Sequence, residues 1–315
     1  MKTCTSLVLR AKSSFVLLAL GCALPLGCSA GGAGGDNAQV SPTTTTPGSL
    51  RPGDSSPSVT TPSNPGTGTG GELFDPNDVE PTDECDGVIP VVFRDFNDTH
   101  PDFEMDFSGD VVRRQLLSAQ LGAGDKPVFA SSVGCPAQQG TPMACANWMV
   151  DKPVITSAAT FDQWYRDVPN VNMTFPRELE LTESQPGSGL YVFSSNDFFP
   201  LGPNEGFGVS PPNQGKNFLF TTEIHLNFEY IAQQRFTFRG DDDLWIFINK
   251  RLALDLGSMH GQEQGTIDFD AQAADLGIRP GGVYQMDIFH AERHTNASNF
   301  SIETNIACFT PVVVY

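Results

Sequence analysis

The chain has 315 residues, and 37 Asp and Glu stand against 18 Lys and Arg, a formal net charge of −19. That surplus excludes a nucleic-acid binder, which needs a basic surface to displace phosphate counterions, and a peripheral protein held to anionic lipid by charge. Hydrophobic residues make up 39% of the chain and 23 residues are Phe, enough for a sizeable core in one large domain or two small ones.

The N-terminus carries Lys2, Arg10 and Lys12, followed by an apolar run at residues 13–26 (SSFVLLALGCALPL). Fourteen apolar residues are short for a membrane span and suit the h-region of a signal peptide. Cys28 follows Leu26-Gly27 at the end of that run, which resembles a bacterial lipobox with Cys28 as the lipidated residue. Pro25 departs from the usual pattern, and Cys22 after Ala19-Leu20-Gly21 is a competing position with a shorter h-region. The expectation is a lipoprotein signal over residues 1–27. Its removal leaves 15 basic against 37 acidic residues, a net of −22.

Residues 28–75 read as a linker. Gly, Pro, Ser and Thr supply 31 of the 43 residues from 29 to 71, with no aromatic among them. Such a stretch buries too little apolar surface to offset the entropy of ordering it. A flexible tether of this length reaches about 35–40 Å. The expected location is the outer membrane or cell surface, with the membrane contacted only through the lipid; plain secretion is the alternative.

Residues 76–315 read as the folded unit. It holds four cysteines, Cys85, Cys135, Cys145 and Cys308. In an exported domain an even count implies two disulfides, and three pairings are open. Cys135 and Cys145, ten apart in a Pro/Gly/Gln loop, favour a local staple that leaves Cys85 with Cys308. A four-thiolate metal site does not suit an oxidising compartment.

The secondary-structure signal is mainly β. Apolar spacing predicts about three helical turns at residues 110–121 (DVVRRQLLSAQL) and about two at 160–168 (TFDQWYRDV). Strict period-2 alternation over residues 218–230 (FLFTTEIHLNFEY) predicts a half-buried strand, repeated at Phe236-Thr237-Phe238. The continuous apolar run 244–248 (LWIFI) predicts a strand buried on both faces. Asn249-Lys250-Arg251 reads as a hairpin turn into residues 252–256, and alternation returns around Tyr284, Met286 and Ile288 and at residues 300–306. Many short strands with Gly and Pro punctuation argue an all-β, mostly antiparallel sandwich or barrel with a few short helices.

Two segments, FTFRGDDDLWIFINKRLALDLGSMHG (236–261) and YQMDIFHAERHTNASNFSIET (284–304), together resemble the fibro-slime domain, a family similar to PA14 β-sandwiches. VVFRDFNDTHPDFE (91–104), FDQWYRDVPNVN (161–172) and GLYVFSSNDFFPL (189–201) resemble it in the same order. The resemblance covers residues 88–306 and implies a PA14-like β-sandwich in a surface module of adhesion, slime or extracellular matrix. Some PA14 relatives bind sugar through calcium held by two consecutive Asp joined by a cis peptide, with a loop residue near the last strand assisting. Carried over, that assigns Asp241 and Asp242 as calcium ligands, with Asp243 as their neighbour.

The same residues support that reading by chemistry. Three adjacent carboxylates repel one another, and a hard cation that accepts six to eight oxygens relieves the repulsion. Asn296, Asn299 or His294 would act from the facing loop, and the two Asn, as oxygen donors, suit calcium better than His294. The competing structural reading is a solvated acidic turn capped by backbone amides. A transition-metal set of His260, His290, His294 and Glu292 is a further alternative, as is a buried polar network pairing Arg293 with Asp255 or Asp287. Asp243, His294, Trp245 and His260 are the candidate ligand contacts. Trp245 and Tyr284 could stack on sugar rings, although Trp245 lies in an apolar run that favours core packing. Arg239-Gly240-Asp241 spells an adhesion tripeptide, here inside another motif.

No G-x-S-x-G elbow, H-E-x-x-H helix, Walker loop or dinucleotide fingerprint occurs, so no enzyme is expected. The sequence therefore points to calcium-assisted recognition of an extracellular glycan or polysaccharide matrix. A self-associating matrix protein without a sugar site is the alternative, and a glycan hydrolase the second.

Overall fold

The computed structural model describes residues 85–105, 111–137, 152–209, 215–294 and 297–312. The expected signal peptide, the linker, and Cys22, Cys28, Cys145 and Asn296 lie outside the described residues.

Branched and aromatic residues in alternation form the first strand, β1 (Val88–Phe96). It is followed by the short strands β2 (Arg113–Arg114) and β3 (Cys135–Pro136), the one-turn helix α1 (Ala158–Phe161) and the strands β4 (Asn172–Glu180), β5 (Thr182–Glu183) and β6 (Tyr191–Ser195). Next come β7 (Phe220–Glu229), β8 (Arg235–Gly240), β9 (Asp243–Ile248), β10 (Arg251–Leu256) and β11 (Glu263–Asp268). The described chain closes with α2 (Phe269–Leu276), β12 (Val283–Glu292), β13 (Phe300–Thr304) and β14 (Thr310–Pro311).

The larger sheet runs β10-β9-β12-β7-β1-β4, with β14 paired to the second half of β7; the smaller runs β11-β8-β13-β6-β5. Every pairing is antiparallel. The fold is thus a mostly antiparallel β-sandwich, as expected. Its main core fills the space between the sheets, with Phe93, Leu226, Ile246 and Ile288 from one and Phe193, Phe236, Phe238 and Phe300 from the other. A second core lies on the opposite face of the larger sheet. There Trp245, Phe247 and Phe289 meet Phe103, Leu116, Phe161, Trp164 and Tyr165 from the connecting segments. This double cover explains why all six residues of β9 are buried.

Asn249 and Lys250 form the predicted β9–β10 turn. Both have positive φ, 51° and 63°, as a two-residue hairpin loop with the twist of its strands requires. Cys85 and Cys308 are bonded, with their Cα atoms 4.9 Å apart and a sequence separation of 223. Cys135 is also disulfide-bonded.

Three expectations are corrected. Residues 111–121 form no helix. Gln115 has φ of 63°, and the segment runs beside β10, where Leu252 N donates to Ala119 O and Leu121 N to Lys250 O. It shields the edge of the sheet, an alternative use of the same apolar spacing. The second predicted helix shrinks to the single turn of α1, started by a capping box between Ser157 and Thr160. β7 is not half-exposed, because its polar positions are covered too: Thr221 and Glu223 are both buried.

Candidate functional site at the β8–β9 junction

β8 ends at Gly240 because β13 approaches it closely: a Cβ there would stand 2.4 Å from the Asn299 carbonyl oxygen. The chain then passes through Asp241 and Asp242, joined by a cis peptide, into β9 at Asp243. The three acids are 6, 7 and 0% exposed. The solvated turn weighed from sequence is therefore corrected in its solvation, while its capping by amides is found. Asp241 Oδ1 accepts from Asn299 N at 2.5 Å and Oδ2 from Asn299 Nδ2 at 2.8 Å. Asp242 accepts from His260 N at 3.3 Å and Arg293 N at 3.0 Å. Asp243 accepts from Ser258 N and Arg293 Nε, each at 2.6 Å. Every oxygen of the triplet thus has one donor, and a carboxylate oxygen has a second lone pair to offer.

Charge divides these acids into two kinds. Asp243 is neutralised by the fully buried Arg293, whose Nη1 also donates to the carbonyls of Asp102 and Val154 and whose guanidinium lies 4.7 Å from the centre of the Trp164 ring. Burial opposes the charge on Arg293, yet Asp243 holds its pKa above the ordinary value. The expected pairing of Arg293 with Asp255 or Asp287 is corrected: Asp255 accepts from Trp245 Nε1 and Gln115 N, and Asp287 pairs with His225. Among the described residues no side-chain cation pairs directly with Asp241 or Asp242, although the Arg293 charge opposes the upward push on Asp242. Burial pushes Asp241 up, and burial together with Asp243 pushes Asp242 well above the carboxylate range. Glu292, also buried, is pushed well up by burial and then by Asp242 and Asp241; its Oε2 has no hydrogen-bond partner among the described residues. Sequence reasoning did not single out Glu292 as a neighbour of the Asp pair.

The other candidates separate clearly. Asn299 meets Asp241 from the facing loop, donating from its backbone N–H and its amide nitrogen. His260 reaches the site through its backbone N–H, while its ring nitrogens lie against the carbonyls of Gly261 and Leu256. His290 is held neutral, its pKa pushed by burial to about 4. Its Nε2 donates to the Asp241 carbonyl and its Nδ1 accepts from Thr222, so neither nitrogen is turned to a metal. His294 lies 3.8 Å from Glu104 and not on the triplet. Trp245 is fully buried in the second core and makes no ligand surface. Tyr284 donates no stacking face to this site; its hydroxyl accepts from Arg279 N. Arg239 is exposed but Asp241 is engaged by Asn299, so the adhesion tripeptide is not presented as a unit.

Among the described residues, no three Asp, Glu, His or Cys side chains stand together as a ready metal cluster. The transition-metal set of His260, His290, His294 and Glu292 is not assembled. Asp241, Asp242 and Asn299 meet at one junction, where Asn299 turns its amide nitrogen and its backbone N–H to Asp241, and carboxylate oxygens are the donor type that a hard cation takes.

No family model matches the chain. It is similar to the proteins psiD and psiC of Dictyostelium discoideum, each 33% identical, over 225 and 213 residues. These matches cover 70% and 66% of this chain but 41% and 38% of the relatives, so the chain spans about two fifths of their length. Among solved structures it is similar to a PA14 sugar-binding domain from an RTX adhesin, with TM-score 0.21 and 16% identity over 30% of this chain and 50% of that one. At that score the likeness carries no functional argument.

Proposed function

We propose that the folded unit is a calcium-assisted carbohydrate-binding module of the fibro-slime type, presented outside the cell by a lipid anchor at Cys28 and the tether of residues 28–75. One observation carries the reading: two adjacent buried carboxylates, Asp241 and Asp242, have no ion-pair partner among the described residues, while Asn299 faces Asp241 across the junction. Burying uncompensated carboxylates is costly, and a bound cation would remove that cost. Asp241, Asp242 and Asn299 would hold the ion, with Asn296 as the further ligand expected from sequence. Calcium bound there would supply open coordination positions to sugar hydroxyls. Asp243 would serve as a structural neighbour, because Arg293 already occupies it.

Calorimetric titration of the exported chain with calcium, followed by a glycan array with and without chelator, tests the reading. The expected result is a saturable calcium heat and a rise in melting temperature, with glycan signals that vanish in chelator. Asp241→Asn should weaken calcium binding at least tenfold. No calcium heat, with a melting temperature unmoved by chelator, would overturn the proposal. Calcium binding with a blank array and sedimenting oligomers would transfer the site to a self-associating matrix protein.

A further inference from the structure

Glu292 is the last residue of β12, and alternation along that strand fixes where its side chain goes. Phe289 and Ala291 belong to the second core, so His290 and Glu292 point to the opposite face, into the space between the sheets. His290 bears this out. Its ring lies 5.2 Å from that of Phe300 in the main core, and its Nε2 is 2.8 Å from the Asp241 carbonyl oxygen. Glu292 stands opposite Phe220 of β7, itself a main-core residue. The residue after it, Arg293, donates its backbone N–H to Asp242. Glu292 thus lies at the rim of the main core, beside the Asp241–Asp242 pair.

Glu292 is 1% exposed, and its Oε2 has no hydrogen-bond partner among the described residues. Ser298 neighbours that carboxyl and is just as buried, yet its Oγ is likewise without a partner. Ser298 directly precedes Asn299, which holds both oxygens of Asp241. Two unsatisfied buried oxygens therefore lie next to the Asp pair. Buried polar atoms are nearly always satisfied, and an exception marks a place for a water or an ion. Charge decides between the two. Burial first, then Asp242 and Asp241, disfavour a charge on Glu292. A neutral water relieves little of the repulsion among three acids, whereas a divalent cation relieves all of it.

We propose that Glu292 is a third carboxylate ligand of the calcium site, meeting the ion from the core side while Asp241 and Asp242 meet it from the junction. This rests on the calcium reading and adds a residue to it. Calcium takes six to eight oxygens, and Asn299 gives its amide nitrogen and backbone N–H to Asp241, so the Asp pair alone leaves an ion short of ligands. The three carboxylates do not form a ready cluster, so Glu292 must turn to the ion, and its unbonded Oε2 is the oxygen free to do so. A ligand of this kind has a signature that a structural residue lacks. Without the ion, its charge works against the Asp pair; with the ion, the same charge raises affinity.

Calorimetric titration of the full chain with calcium, together with melting curves in chelator, tests this on Glu292→Gln, which keeps the size of the side chain and removes its charge. Calcium binding should weaken at least tenfold, while the melting temperature in chelator stays equal or rises. Glu292→Asp, with the charge kept on a shorter arm, should bind calcium more tightly than Glu292→Gln. In the unsubstituted chain the carbon-13 resonance of the Glu292 carboxyl, assigned by its loss in either variant, should move on adding calcium. Calcium affinity unchanged in Glu292→Gln but lost in Asp241→Asn overturns this inference and leaves the calcium reading standing. A Glu292→Gln variant that melts lower in chelator, with a carboxyl resonance that ignores calcium in the unsubstituted chain, overturns it in favour of a structural role. An unsubstituted chain that takes up no calcium overturns both.

Discussion

At the scale of single residues, Arg293 decides which acid of the triplet is structural. Its side chain is fully buried, and three of its contacts are to Asp243 and to the carbonyls of Asp102 and Val154. Removing one partner of a buried pair leaves the other charge uncompensated, a cost of about 3–5 kcal/mol. Arg293→Met should therefore destabilise by that amount in a denaturant melt. Arg293→Lys should recover little of it, because an ammonium cannot reproduce the planar fork that reaches both the carboxylate and the carbonyls. A loss below about 1 kcal/mol for the Met variant would mean that the pair contributes little to stability. The importance of this arginine was legible in the HAERH segment, but its partner was not. Asp255, Asp287 and Asp243 are equivalent as letters. Only the pairing of Ala291 with Asp243 across β12 and β9 brings Arg293 to the third acid of the triplet.

At the scale of elements, alternation identified strands whose two faces differ and failed where both faces are covered or where local caps decide. β7 alternates in sequence, yet its polar side is packed, because Thr221 donates to the Trp164 carbonyl and Glu223 sits within the His225 cluster. The spacing at residues 110–121 looked helical because Leu116 and Leu117 both enter the second core; an irregular segment can bury the same pair. Helix α2 was missed for the opposite reason. Of its eight residues only Phe269 and Leu276 are buried, so its apolar signal is faint. Its ends were readable: Asp268 accepts from Ala271 N at 3.1 Å, and Gly277 closes the helix with φ of 68°. Asp268→Ala should cost about 1 kcal/mol, the usual value of an N-cap. Asp268→Asn should restore most of it. The exposed pair of Asp268 with Arg235 contributes little to that difference. Equal stability of the Ala and Asn variants would show that α2 is held by Phe269 packing and not by its cap.

At the scale of the whole folded unit, the acidic surplus that excluded nucleic acid now has a local structure. The triplet at the most family-like motif is not a solvated patch; it is buried, amide-capped and only partly neutralised. The ends of the unit answer a different demand. Cys85 lies just before β1, and Cys308 lies between β13 and β14, so their bridge joins the first strand to the last. Without it the end strands depend on their own pairing. β14 contributes only two residues, Thr310 and Pro311, against β7, and a strand that short adds little. A bridge across 223 positions restricts the unfolded chain strongly, worth about 5 kcal/mol in the loop-entropy model. Replacing both cysteines by serine should lower stability by that amount and leave the near-ultraviolet dichroism of the native state unchanged. The denaturant slope should rise, because an unfolded chain freed of its bridge exposes more surface. If stability falls by less than about 1 kcal/mol, the unfolded chain must already be compact enough that the bridge removes few of its states.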